Sequence, residues 1–88
     1  MAKQTEIKDY VDIGLARSID VDGVEIKVLR MREPTVQDQI DADAIKGSAA
    51  EQEVSLIANL CEVSPQDIKR LSLRDYRKLQ QAYVGFTE

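Results

Sequence analysis

Arg30-Met31-Arg32-Glu33-Pro34-Thr35-Val36-Gln37-Asp38 divides the chain into two kinds of periodicity. Before it, apolar residues alternate with polar ones; after it, they recur every three or four positions. A strand therefore hands over to a helix here. Pro34 pushes Glu33 into an extended conformation and stops the strand. Thr35 is placed to accept a backbone N–H from the first helical turn. Asp38, three residues on, sets a carboxylate at the helix N-terminus. None of these residues is arranged for chemistry. The fold class that follows is α+β, with an N-terminal β-hairpin over about 11–31 and a bundle of four short helices after it.

Working back from this stretch, Val11, Ile13, Leu15, Ile19 and Val21 make one apolar face, interrupted by Arg17. Asp12, Ser18, Asp20 and Asp22 fill the other, which is the pattern of a one-sided strand. Asp22-Gly23 lies between Val21 and Val24. This dipeptide supplies the two positive φ angles of a type I′ hairpin turn. The turn pairs Val21 with Val24 and Ile19 with Ile26. In the second strand Val24, Ile26 and Val28 share one phase, and Leu29 and Met31 carry the other. A β-bulge near Lys27–Leu29 accounts for the switch and sets Leu29 opposite Arg17 and Met31 opposite Leu15. An isolated hairpin is unstable, so the helices must cover its apolar face. Residues 1–10 are polar and mixed in charge and are expected to form a flexible arm, with 11–88 as one α+β domain.

Working forward, Ser or Thr followed three residues later by Asp or Glu opens each apolar-periodic run. The pairs are Thr35 with Asp38, Ser48 with Glu51, Ser64 with Asp67 and Ser72 with Asp75. They mark four helix N-termini. Helices are expected over about 36–46, 49–62, 65–70 and 73–84. The first places Val36, Ile40 and Ala44 on its inward face, with Gly47 past its end. The second carries Ala50, Val54, Ile57, Ala58 and Cys61 on one stripe, widened by Leu56 and Leu60, and is expected to be the most buried. Pro65 suits a first helical position, and Ile68 turns inward. The last helix aligns Tyr76, Leu79, Tyr83 and Phe86.

Composition excludes several function classes. Twelve basic against 16 acidic residues give a net charge of −4. That is unsuited to sequence-independent nucleic-acid binding or to an anionic membrane surface. There is no histidine, so the commonest metal ligand and general base are missing. The single cysteine forms no internal disulfide and fits a reducing compartment. No apolar run approaches the roughly 18–20 residues of a membrane span. The first six residues lack the apolar core of a signal peptide, so a cytoplasmic protein is expected.

Individual features favour structural roles. Asp38, Asp41 and Asp43 sit on a predicted helix rather than in a cation-binding loop, and a solvated helix face is expected. Cys61 lies on the apolar stripe and is read as core. Gly23 belongs to a turn and Gly47 to a helix end, and no phosphate-cradling loop is present. No nucleophile–base pair can be assembled, so an enzyme is not expected, nor a cofactor, metal or small-molecule substrate. Ser64 to Lys78 imitates a helix-turn-helix, with Lys69, Arg70, Arg74, Arg77 and Lys78. Its turn lacks glycine, and Asp67 and Asp75 dilute its charge. The stripe Tyr76, Leu79, Tyr83 and Phe86 is the candidate partner-binding surface. Core packing weighs more for Tyr76 and Leu79, and aromatic anchoring of a partner for Tyr83 and Phe86.

The order of these features resembles a family. It runs strand, Asp22-Gly23, strand, Arg32-Glu33-Pro34-Thr35-Val36 with Asp38, then Glu51 to Leu60 into Cys61. Ser64-Pro65-Gln66-Asp67-Ile68 follows, and then Leu71 with Asp75-Tyr76. The succession is similar to the small tail assembly proteins of Mu-like phages and prophages, grouped with the tail assembly chaperones of other contractile-tailed phages. It covers roughly Leu15 to Phe86. Asp22, Gly23, Arg32, Glu33, Pro34, Thr35, Asp38, Ser64, Pro65 and Asp67 are its structural motif. The acidic first helix, with Asp41 and Asp43, departs from it. The resemblance implies a non-enzymatic chaperone that binds the tape measure protein, keeps it soluble until the tail tube polymerises, and leaves before the virion is complete. It also implies repetitive association along a long partner, with a possible homo-oligomer. The competing expectations are a small phage-encoded DNA-binding regulator using the 64–84 segment, and a tail component retained in the particle.

Overall fold

The Asp22-Gly23 dipeptide turns the chain as its residue types require. In the computed structural model, which describes residues 10–88, φ is 53° at Asp22 and 83° at Gly23. Both values are positive, as a type I′ turn demands. The flanking strands, β1 (Tyr10–Val21) and β2 (Val24–Arg32), pair antiparallel as a two-stranded sheet. Helices α1 (Val36–Asp43), α2 (Ala49–Cys61), α3 (Pro65–Lys69) and α4 (Leu73–Phe86) follow. The architecture is the expected α+β hairpin and helices. The flexible arm anticipated over 1–10 lies outside the described residues, apart from Tyr10, which opens β1.

Near the turn the register is the expected one, with Val21 opposite Val24 and Ile19 opposite Ile26. Beyond it the expectation of a bulge on β2 near Lys27–Leu29 is wrong. The extra residues are on β1, where Leu15 to Ser18 face Lys27 alone. Leu29 consequently pairs with Ile13 rather than Arg17, and Met31 with Val11 rather than Leu15. The cause is distant in sequence. The Asp75 carboxylate on α4 accepts the backbone N–H groups of Ala16 and Arg17 at 2.9 and 3.1 Å. Two donors drawn out of the ladder leave the strand looped there.

All four helices begin where the hydroxyl residues place them. Thr35, Ser48, Ser64 and Ser72 each accept the N–H of the residue three positions on. In α1 and α3 the capping box is reciprocal. The first helix stops at Asp43, short of the expected Lys46. Gln52 on α2 donates its amide to the carbonyls of Asp43 and Ile45 at 3.4 and 2.9 Å, satisfying the helix end early. Gly47 follows with φ 135°, open only to glycine. At the end of α2, Glu62 adopts a left-handed φ of 58°.

Ile13, Leu29 and Met31 from the hairpin meet Ala42, Leu56, Ile57, Ala58, Leu60, Cys61, Ile68 and Leu79 in one core. The second helix supplies five of these, all from its C-terminal half. Of the expected stripe, Val54 is half-buried and Ala50, in the first turn, is exposed. Met31, Ile57, Leu60 and Leu79 are enclosed on all sides. Each contributes about 1.5–3 kcal/mol of apolar burial, set against the entropy of ordering it.

The inward face of α1 is a further correction. Val36 and Ile40 remain 79% and 55% exposed and Ala44 is exposed, while Asp38 and Ala42 are buried. Positions two residues apart lie about 200° apart around a helix, so Val36 and Ile40 oppose Asp38. Whatever fixes Asp38 inward therefore turns both outward. The expectation of a solvated carboxylate fails at Asp38 for the same reason, and holds for Asp41 and Asp43, which are exposed.

Candidate functional site

The motif residues form a structural joint. Asp38, 6% exposed, receives the Arg32 guanidinium through two N–H groups at 2.7 and 2.9 Å. It also receives the backbone N–H and hydroxyl of Thr35 at 2.9 and 3.0 Å, and the amide of Asn59 at 3.2 Å. One carboxylate thus ties the end of β2 and the start of α1 to α2. The Arg32 guanidinium, followed by the Thr35 donors, holds Asp38 well below the usual carboxylate range. The sequence reading brought Arg32, Thr35 and Asp38 together but missed Asn59. Its signal was present: Asn59 is the one polar residue between Leu56 and Cys61.

The second motif segment is a joint as well. Asp67 accepts the Ser64 backbone N–H at 3.0 Å and closes the box at α3, which Pro65 opens. The Arg70 guanidinium binds Asp67 at 2.6 Å and donates to the Asp20 carbonyl near the hairpin tip. Asp20 in turn accepts the Gly23 N–H at 2.8 Å. Glu33 is exposed and Pro34 half-buried between strand and helix. Of the basic residues in the 64–78 segment, Lys69, Arg70 and Lys78 are paired with Glu51, Asp67 and Asp75. That removes much of the positive field a DNA-reading helix needs.

The third joint was not foreseen as one. Asp75 is fully buried, and beyond the Ala16 and Arg17 N–H groups it meets the Lys78 ammonium at 3.2 Å. The same ammonium donates to the Gly14 carbonyl at 3.0 Å. These donors, led by the Ala16 N–H, hold the Asp75 carboxyl down at about 2. In each joint the carboxylate is engaged by donors from its own chain, which gives it a structural role. Cys61 is buried, and burial pushes its thiol up to about 12, where it is no nucleophile.

The candidate partner residues are distributed between core and surface. Leu79 is fully buried, whereas Tyr76, Tyr83 and Phe86 are half-buried against the core. The Tyr76 hydroxyl donates to Glu53 at 2.6 Å and the Tyr83 hydroxyl to Gln39 at 3.2 Å. Burial and the Glu53 carboxylate raise the Tyr76 phenol above its ordinary value. Because α4 leans chiefly on β1, it leaves a groove of about 470 Å³ against α1 and α2. Leu56 and Ile57 line this groove together with Tyr83 and Val84, and Asp43 and Glu53 are its charged lining residues. Gln39, Gln52 and Gln80 complete its polar lining, so the cleft offers both apolar and polar contacts to an occupant.

A family model described as "Phage tail assembly chaperone proteins, E, or 41 or 14" matches residues 12–88. No curated protein and no solved structure matches the chain.

Proposed function

The chain belongs to the phage tail assembly chaperone family, and on that premise we propose that it binds the tape measure protein and keeps it soluble during tail assembly. The family match over 12–88 carries the assembly-chaperone role, and such chaperones are generally non-enzymatic. The finer reading is supported by the surface. Half-buried Tyr83 and Phe86 near the end of α4 offer aromatic anchors, with Tyr76 beside them and Leu79 holding the helix to the core. The net charge of −4 keeps the complex soluble while apolar faces of the partner are covered. Several copies act along one long partner in the host cytoplasm, self-associating as they do so, and leave before the particle is finished.

Co-expression with the tape measure protein encoded alongside tests this. A soluble, co-eluting, multi-copy complex supports the reading. A tape measure protein that stays insoluble while this chain elutes alone overturns it. Tyr83→Ser with Phe86→Ser is expected to weaken solubilisation while leaving the circular dichroism spectrum unchanged. Recovery of the chain from purified particles would identify a retained tail component instead.

A further inference from the structure

The groove between α1, α2 and α4 differs from the joints in how its carboxylates are held. Glu53 accepts from the Tyr76 hydroxyl at 2.6 Å and the Gln80 amide at 2.9 Å. Asp43 accepts from the Gln39 amide at 3.1 Å. All these donors are neutral. Asp12, Asp38, Asp67, Asp75 and Glu51, by contrast, each sit against a lysine or arginine. No lysine or arginine lines the groove. Two carboxylates with no cation among the lining residues therefore flank a cleft whose accessible apolar wall is Tyr83 and Val84. Its floor is the buried Leu56 and Ile57, and its remaining polar lining is Gln39, Gln52 and Gln80. Low-dielectric walls concentrate such a field, and a cation entering beside an apolar side chain satisfies both features together.

From this geometry we infer that the groove docks a segment of the escorted tape measure protein bearing a large apolar side chain with lysine or arginine next to it. The inference rests on the reading that this chain binds that protein, and it names the surface and the chemistry recognised. The volume, about 470 Å³, admits one or two large side chains rather than a whole helix. The apolar side chain enters against Tyr83 and Val84, above the buried Leu56 and Ile57, and the adjacent cation meets Asp43 or Glu53. An acidic segment is repelled. Recognition of this kind is loose in sequence and strict in charge, which suits a chaperone that must engage many sites along one partner.

The test uses the full chain and overlapping synthetic peptides spanning the tape measure protein, read by fluorescence anisotropy at low and high salt. Peptides that bind are expected to place an apolar side chain beside lysine or arginine. Their affinity should fall about fivefold in the chain carrying Asp43→Asn and Glu53→Gln, which keeps the hydrogen bonds and removes the charge. Val84→Arg, at a half-exposed wall position, should weaken binding by more than about tenfold, and Val28→Arg on the far side of the hairpin should not. Unchanged affinity in the charge-neutral and Val84→Arg chains overturns the inference, as does a preference for acidic peptides. If those chains still retain the whole tape measure protein as well as the wild type, only the groove fails and the chaperone reading survives. If the wild type retains none, that reading fails and the groove with it. This chain's own Leu73, Arg74 and Arg77 are exposed and share the recognised chemistry. A change in oligomeric size on groove substitution, with peptide binding intact, would make the occupant a second copy and overturn the assignment.

Discussion

Asp38 and Asp75 hold the same position in two helices, third after a hydroxyl N-cap, and are used differently. Asp38 closes its capping box, and its other partners are Arg32, six residues away, and Asn59 on the next helix. Asp75 leaves its box open. Its oxygens go instead to Ala16 and Arg17, more than fifty residues back, where they hold a bulge in β1. The same local signature thus ends as a nearby hinge in one region and as the main tie between hairpin and last helix in the other. Sequence spacing reports that a carboxylate is well placed to cap; it does not report which donors will compete for it.

Breaking the distant tie should have the largest effect. Asp75→Ala takes the acceptor from the Ala16 and Arg17 N–H groups and leaves the Lys78 ammonium only the Gly14 carbonyl. A loss of about 3 kcal/mol is expected in urea unfolding, a large share of the stability of a domain this small. A loss below about 1 kcal/mol would mean that water replaces the carboxylate and that the bulge does not depend on it.

Acid should reproduce part of this loss. Asp75 titrates at about 2 in the folded chain, below its ordinary 3.8, because the Ala16 and Arg17 N–H groups and Lys78 favour its ionised form. Its contribution is complete above the unfolded value and is lost as pH falls from about 4 through about 2, amounting to about 2 kcal/mol. Asp38, held lower still by Arg32, adds to the decline over the same range. Chemical denaturation at successive pH values should show a shallower decline in Asp75→Asn than in the wild type. Parallel curves would place the acid sensitivity elsewhere.

Smaller changes sharpen the contrast. Asn59→Ala removes one of five donors around Asp38 and should cost about 1 kcal/mol, since Arg32 and Thr35 remain. A loss comparable to that of Asp75→Ala would show that the nearby joint is not the more redundant of the two. Smallest of all, Val36→Ser combined with Ile40→Ser should shift stability by less than about 0.5 kcal/mol, because both side chains face solvent. A larger loss would return them to the inward face that helical periodicity had suggested.

Much of the fold was legible before any coordinate. Asp22-Gly23, Pro34 and the four hydroxyl–carboxylate pairs act within a few residues, and each produced the turn or helix start it indicated. The stripe of α2 was legible because its apolar side chains outnumber any competing face. At α1 the apolar residues were misleading: two aliphatic side chains yielded to a carboxylate with five donors. The groove was only partly legible. Tyr83 stood out as a candidate and Asp43 as part of a solvated helix face, but Glu53 carried no signal until the structure showed both carboxylates met by neutral donors.

By itself, then, the sequence determined the element order, the type I′ turn, the helix starts and the family. These depend on backbone conformations and hydrogen bonds closed over three or four residues, which spacing encodes directly. Tertiary structure alone decided the strand carrying the bulge, the face α1 turns inward and the carboxylates left without a cation. Each depends on which donors meet a given acceptor after distant segments pack, and a charged group desolvated by that packing overrides the apolar pattern of its own helix.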